Sequence, residues 1–460
     1  MAALPWLKAE GRDIVDEDGH AVLLKGYCLG GWLNTENFIN GYPFTDHLYQ
    51  RALREALGAE KAEHYYAQQY AHYLTEADVA FLAECGTNAV RAPFNYRLFE
   101  SDMRPGEFDG PGFELLDRLL GWCREHGLYI MLDLHSAQGW QNPDWHCDNP
   151  ADVCLLWDTQ DYRDRVAGLW RAIAERYEDE PVIAGYEILN EPTAPDTGTL
   201  QEFYQEVAAE IRRVDGRHII FLEGNMWGSQ FEGFEPFEDN LVYACHIYLP
   251  SDFEMTAYPN NRQNPEQMAD AYRGYVEFGR RHDVPMWCSE FGAHHYTGDE
   301  EIRRGRLRTI DDQISHFEEV GHSWSMWTYK DVGVMGLAVT DPESHYMRRT
   351  AAVRELKAEL GADWWTDVPH DEPHELLRPA LEGVERICGE RVEAGVIRKV
   401  FGRAWLDAAS KVLMKPFGEQ FAGMTKDEIS ATMESWRLEN CRVNEGLVAI
   451  LKKHAAPTGT

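Results

Sequence analysis

Cations are scarce in this chain. Lysine and arginine number 44 against 78 aspartates and glutamates, which leaves a net charge of −34. A surface of that sign repels nucleic-acid phosphates and anionic lipid headgroups, so neither nucleic acid nor a membrane is expected as a partner. Its plainest consequence is solubility, with salt adaptation as the sharper alternative. No apolar run approaches the roughly 20 residues that a membrane-spanning helix needs. The N-terminal stretch MAALPWLKAEGRDIVDEDG carries acids early and lacks the apolar core of about 7–15 residues that marks a secretion signal, so a cytoplasmic protein is expected. The nine cysteines are an odd number and include no CxxC pair or Cys/His finger spacing, which argues against a disulfide framework or a structural zinc. Cys28, Cys245 and Cys288 fall in apolar strands and read as buried, reduced thiols. No glycine-rich turn follows any apolar strand, so a dinucleotide-binding fold has no signature, and a doubly wound open sheet is only the second choice of architecture.

What the chain does have is a repeated strand–helix rhythm. Apolar strands begin near residues 22, 87, 128, 182, 218, 241, 285 and 323, and amphipathic helices lie between most of them. Strands with apolar residues on both faces belong to a parallel sheet covered by helices, and eight β–α repeats close a (β/α)8 TIM barrel. A hairpin over 13–24, turning at Asp18-Gly19, is placed to plug the bottom of the barrel. Three rim segments are long, 32–73, 136–160 and 249–264, and the first is rich in aromatics (Phe38, Tyr42, Phe44, Tyr65, Tyr66). Thr75 with Asp78 opens a helix that Gly86 ends, and Thr425 with Glu428 is a second capping box. Past about residue 350 the strands stop. The division read from this is a barrel over 1–350 and a helical extension over 351–460. Two roles are open to the extension, packing on the barrel or making a homo-oligomer contact.

The polar residues of the strands gather at one end. Read in strand order, the tips carry Arg91, His135, Asn190 and Glu191 (VIAGYEILNEP, 182–192), Glu223, His246 with Tyr248, Glu290 (PMWCSEFG, 285–292) and Trp327. The C-terminal tips of barrel strands are where such folds keep their chemistry. Two carboxylates delivered there, Glu191 and Glu290, are the minimum equipment for retaining glycoside hydrolysis. The bland alternatives are structural ion pairs for the glutamates and Arg91, and buried core positions for His135 and His246. No acid–histidine spacing marks a metal site, and neither a metal nor an organic cofactor is implied.

Taken together, NEP on the fourth strand, SEFG on the seventh, and Arg, His, His-x-Tyr and Trp on the second, third, sixth and eighth closely resemble glycoside hydrolase family 5 over about residues 20–340. The resemblance implies Glu191 as general acid/base and Glu290 as nucleophile. A carboxyl facing a second carboxylate is expected to have a raised pKa, which suits Glu191 to hold a proton. Arg91 and Tyr248 are expected to keep Glu290 ionised. Asn190 is suited to a sugar 2-hydroxyl, His135 and His246 to substrate hydroxyls or to Glu191, and Trp327 to stacking on a pyranose face. Glu223 is the rival carboxylate, read as a supporting or sugar-binding group. Trp140, Trp145 and Trp227 in rim loops are expected as sugar platforms, and His294, beside His295, as either loop polarity or a substrate contact.

The segment GYCLGGWLN resembles the start of exo-acting glucanases in that family. Long rim loops turn an open groove into a blind pocket that admits a chain end, so the favoured reading is an exo-acting retaining β-glycosidase on short carbohydrate substrates, with β-glucoside as the first sugar. β-Xyloside and β-mannoside stay open, as do an endo-acting glucanase, a transglycosylase and a non-catalytic sugar-binding barrel.

Overall fold

The computed structural model describes residues 4–249, 252, 256–362 and 374–455. Eight parallel strands form a closed barrel in which each strand pairs with the next in sequence and the eighth closes on the first. They are Lys25–Cys28, Ala89–Asn95, Tyr129–Ser136, Ile183–Glu187, Ile219–Glu223, Leu241–Ile247, Met286–Phe291 and Ser323–Met326. All eight strand starts read from the sequence fall within three residues of these.

Side chains alternate along a strand, so residues two apart share a face. One alternating set runs Ala89–Arg91, Met131–Asp133–His135, Phe221–Glu223 and Ala244–His246. Its lower members, with Tyr129, Ala184, Ile219, Val242 and Trp287, form a buried apolar cluster, and its upper members are the polar residues of the site. Leu7 and Ile14 join that cluster from the N-terminal hairpin, which therefore does plug the barrel. The hairpin's register differs from the expected one. Lys8–Glu10 pairs with Asp13–Val15 around Gly11, and the Asp18-Gly19 turn contributes only one further bridge, Val15 to Ala21. Gly11 at φ +58° supplies the tighter turn.

Two expectations about the periphery need correction. The segment 33–73 is an aromatic-rich helical insertion, with helices over Asp46–Leu57 and Ala59–His72, and much of it is no rim wall. These helices pack on the C-terminal helices Ala394–Glu419 and Lys426–Met433. Tyr42 stacks on Tyr49 at 4.4 Å, and Tyr49 and Tyr65 meet Phe417 and Phe421. The two layers approach so closely that a β-carbon on Gly418 would sit 2.5 Å from the Ala52 carbonyl oxygen. Nor do strands stop at 350. Cys441–Val443 pairs antiparallel with Ala338–Thr340, which pairs with Lys330–Asp331 just past the eighth barrel strand. Residue 350 itself lies inside the helix His345–Glu359. The extension is thus woven into the barrel through a shared sheet and a shared core. Both capping boxes, Thr75/Asp78 and Thr425/Glu428, are formed. All nine cysteines are free, and Cys28, Cys245 and Cys288 are buried.

The last helix, Glu445–Ala455, docks on the barrel helix Glu300–Glu319 through His454. Its ring nitrogens lie 2.8 Å from Asp311 Oδ1 and 3.1 Å from Glu318 Oε2. Burial alone would depress this imidazole, but Glu318 and Asp311 outweigh it and raise its pKa. The folded state therefore holds the proton more tightly than the unfolded chain. The resulting stability is complete below about pH 6.5 and fades as pH climbs through the raised value. His454→Gln is expected to cost about 1 kcal/mol at acidic pH and less in alkali, as read by denaturant unfolding of both proteins across that range.

Candidate active site

Arg91 stands at the centre of the barrel mouth, wholly buried and surrounded by acids. Its Nε donates to Glu187 Oε2 at 2.6 Å and its Nη1 to Glu290 Oε1 at 2.5 Å. Its Nη2 donates to Asn190 Oδ1 at 2.8 Å and lies 3.0 Å from Asp133 Oδ2 and 3.3 Å from Glu223 Oε1. A guanidinium suits this position because its planar fork offers five donors and stays charged when buried. Tyr248 donates to the second oxygen of Glu290 at 3.1 Å. The strand ladder shifts register between Cys245 and His246 on the sixth strand, and between Cys288 and Phe291 on the seventh. These irregularities aim His246 and Glu290 into the mouth, a common use of bulges near functional sites.

Glu191 lies four residues beyond the ladder of the fourth strand, with φ +48°. A non-glycine residue in this left-handed region is held there by its surroundings. Its amide donates to Glu223 Oε2 at 2.7 Å, and its carbonyl accepts from Asn142 Nδ2 at 2.9 Å. The carboxylate is gripped on both sides, by His246 Nδ1 at 2.7 Å and by His146 Nε2 at 3.0 Å. One atom each from Glu191, His246 and Glu290 lie within 4.8 Å of one another. Glu36, Phe38, His135, Trp145, His146, Tyr248, Trp327 and Met335 complete the walls of the pocket. Trp327 lies parallel to the His135 ring, 2° apart in plane, at 5.2 Å.

The comparisons with known proteins agree with this geometry. Residues 54–333 match the family model described as Cellulase (glycosyl hydrolase family 5). The chain belongs to glycoside hydrolase family 5. As a member it is an O-glycosyl hydrolase of β-glycosides. Among its relatives is a Phanerodontia chrysosporium protein named beta-xylosidase, 34% identical, with 98% of this chain and 99% of the relative covered. A probable glucan 1,3-beta-glucosidase A of Aspergillus clavatus is 30% identical over 73% of this chain and 89% of its own length. Among solved structures, the Thermotoga maritima Cel5A complex with mannotriose superposes with a TM-score of 0.53 at 18% identity, covering 69% of this chain and 92% of that one, a likeness of fold.

Against this family background, the expected site residues sort cleanly. Arg91, His135, Asn190, Glu191, His246, Tyr248, Glu290, Trp145 and Trp327 converge on the pocket or on groups that line it. The other rim candidates do not line it. Trp140 is half-buried, with its indole nitrogen enclosed and unpartnered. Trp227 is tied by its indole nitrogen to Asp144 Oδ2 at 2.5 Å. His294 and His295 are buried, and burial, with other cations nearby, depresses their pKa values to about 3 and about 4, so they are neutral core histidines. Glu223 is fully buried beneath Glu191, Arg91 and His246, where it braces all three and faces no sugar.

Sequence reasoning missed Glu36, Phe38, His146 and Met335, and the buried acids Asp133 and Glu187. Glu36 had a signal, as a carboxylate four residues past Trp32 in an aromatic insertion, but nothing local to His146 distinguished it from its neighbours. Asp133 and Glu36 flank His135 at 2.7 and 3.1 Å. Burial would lower that imidazole, but the two acids outweigh it and carry its pKa up to about 10.

The expectation of a raised pKa for Glu191 is overturned, while the Arg91 and Tyr248 contacts expected for Glu290 are formed. Burial pushes Glu191 up, but His146 and His246 outweigh it and hold its carboxyl well below the usual range. Burial raises Glu290, opposed by His246 and Arg91 and aided by Glu191. The like-charge argument failed because it counted the facing glutamate and not the two imidazoles. Glu187, Glu223 and His246 form a second trio with metal-like spacing, also within 4.8 Å. Arg91 and the histidine–carboxylate contacts already engage oxygens of Glu187, Glu223, Glu191 and Glu290, while Glu187 Oε1 is buried without a partner.

Proposed function

We propose that this chain is a retaining exo-β-glycosidase that removes single sugars from short β-glycosides, and that the sugar is a β-xyloside. The observation that carries the retaining reading is the closeness of Glu191 and Glu290. Retaining enzymes hold the two carboxyl groups about 5–5.5 Å apart, whereas inverting ones leave about 6.5–9.5 Å for a water. In this reading Glu290, oriented through one oxygen by Arg91 and through the other by Tyr248, attacks the anomeric carbon. Glu191 protonates the departing oxygen. A water then enters, gives its proton to Glu191 and releases the sugar with its configuration kept. Glu191 starts as a carboxylate between imidazolium groups, so the proton it delivers is drawn from His146 or His246. A sugar that displaces water favours the neutral acid–imidazole pair over the ion pair, and the transfer needs no change in proton count.

The exo reading rests on Glu36 and Phe38. Both come from the insertion after the first strand, and they wall the pocket beside His135. The identity of the sugar is supported by the name of the relative that matches end to end, and it revises the glucoside expected from the sequence. A panel of nitrophenyl β-xyloside, β-glucoside, β-mannoside and β-cellobioside tests it. The xyloside is expected to turn over fastest. Turnover of the cellobioside alone would replace the exo reading with an endo one, and preference for the glucoside would reassign the sugar.

A further inference from the structure

The loop after the third barrel strand carries His146, and an arginine from the far end of the chain holds that loop. Arg403 lies on the C-terminal helix Ala394–Glu419. Its Nη2 is 2.7 Å from Asp144 Oδ1 and also donates to the Pro143 carbonyl, and its Nε donates to Asp152 Oδ1 at 2.5 Å. One guanidinium thus ties both ends of the segment 143–152. Asp144 is in turn the acceptor for Trp227 Nε1, so the same carboxylate links the C-terminal helix to the loop after the fifth strand. Two residues past Asp144, His146 reaches Glu191 at 3.0 Å. Between them Trp145 forms a pocket wall on one side and, on the other, closes a small cavity against Leu406 and Ser410 of the same C-terminal helix.

We propose that Arg403 is a positioning residue for the acid/base group, holding the 143–152 loop so that His146 keeps its grip on Glu191. The inference rests on Glu191 having that role. The electrostatics require a cation here. Asp144, Asp152 and the nearby Asp407 are three like charges, and burial with Asp152 alongside already pushes Asp407 up to about 6. Without Arg403 the Asp144 and Asp152 ends of the loop lose their shared cation and repel one another. The Asp144–His146 stretch then loosens, while His47 and Arg97 still hold Asp148 and Asn34 and Ser136 still hold the His146 carbonyl. An ångström of displacement at a reacting group is enough to cost about 10²-fold in rate. On this reading the extension, whose purpose the sequence leaves dark, is part of the active site's scaffold.

The test measures kcat and KM of Arg403→Ala and Arg403→Lys on an alkyl β-glycoside, whose leaving group needs protonation, and on a dinitrophenyl glycoside, whose leaving group does not. Arg403→Ala is expected to lower kcat/KM, which reports the first step alone, by about 10–100-fold on the alkyl substrate, with kcat/KM on the dinitrophenyl substrate changed by less than about threefold. Arg403→Lys, which keeps a cation beside Asp144, is expected to recover most of the loss. Equal losses on both substrates, or none, would overturn the proposal, as would a Lys variant no better than Ala. Glu191→Ala measured alongside separates the two ways to fail. If Glu191→Ala lowers kcat/KM equally on both substrates, the acid/base reading falls and takes the inference with it. If Glu191→Ala is selective and Arg403→Ala is not, the clamp alone is wrong.

Discussion

Glu290→Ala is expected to lower turnover of an aryl β-glycoside by about 10⁵-fold or more, the scale seen when a covalent nucleophile is removed. The reason is specific to this site. Glu290 is the one acid of the Arg91 cluster that also lines the pocket, so no neighbour can replace it. Glu187, Glu223 and Asp133 share the same guanidinium but are wholly buried beneath the mouth. Truncation leaves a small cavity beside Arg91 and Tyr248, and azide entering there is expected to restore turnover with an activated substrate. The product is then the α-glycosyl azide, because the external anion attacks from the face that Glu290 occupied. NMR of the anomeric proton reads the outcome. A β-azide would place Glu290 in the acid/base role, and hydrolysis undiminished by the substitution would remove it from the reaction.

The second large effect belongs to Glu191→Ala. Loss of a general acid costs about 10²–10⁴-fold where the leaving group needs a proton. The expected result is a loss in that range on an alkyl glycoside or a disaccharide, and a much smaller first-step loss on a dinitrophenyl glycoside. The glycosyl-enzyme is then expected to accumulate, since the water that should cleave it has lost its base, and a burst of nitrophenolate reports that. Equal losses with both classes of leaving group, without a burst, would take Glu191 out of the role. The result also bears on the imidazoles. In the proposed mechanism His146 and His246, which hold the Glu191 carboxyl below its usual range, are the source of its proton.

The barrel was legible because its cause is local. Strand–helix alternation is written as hydrophobic periodicity, and a period of two puts Arg91, His135, Glu223 and His246 on one inward face above an apolar layer. Both capping boxes were readable for the same reason, since a cap is satisfied within four residues. The hairpin register was misread because two adjacent glycine turns competed, and the choice fell to packing of Leu7 and Ile14 beneath the barrel.

What only the tertiary structure decided is everything that joins distant parts of the chain. The aromatic insertion looks the same in sequence whether it lines a rim or packs on helices at the far end of the chain, and its burial against Phe417 and Phe421 settled the matter. Trp140, Trp227 and His294 have the residue types of sugar contacts, but side-chain type does not say which way a loop turns it. The protonation pattern depends on His146, from the loop after the third strand, joining His246, from the sixth strand, at Glu191, and nothing in the sequence marked His146 for that contact. By itself the sequence determined a (β/α)8 barrel with two glutamates at its mouth, because strand period and strand order suffice for that. Which acid holds a proton, and which helix steadies the loop beside it, were decided by three-dimensional neighbours, because electrostatic energy depends on distance in space and not on separation along the chain.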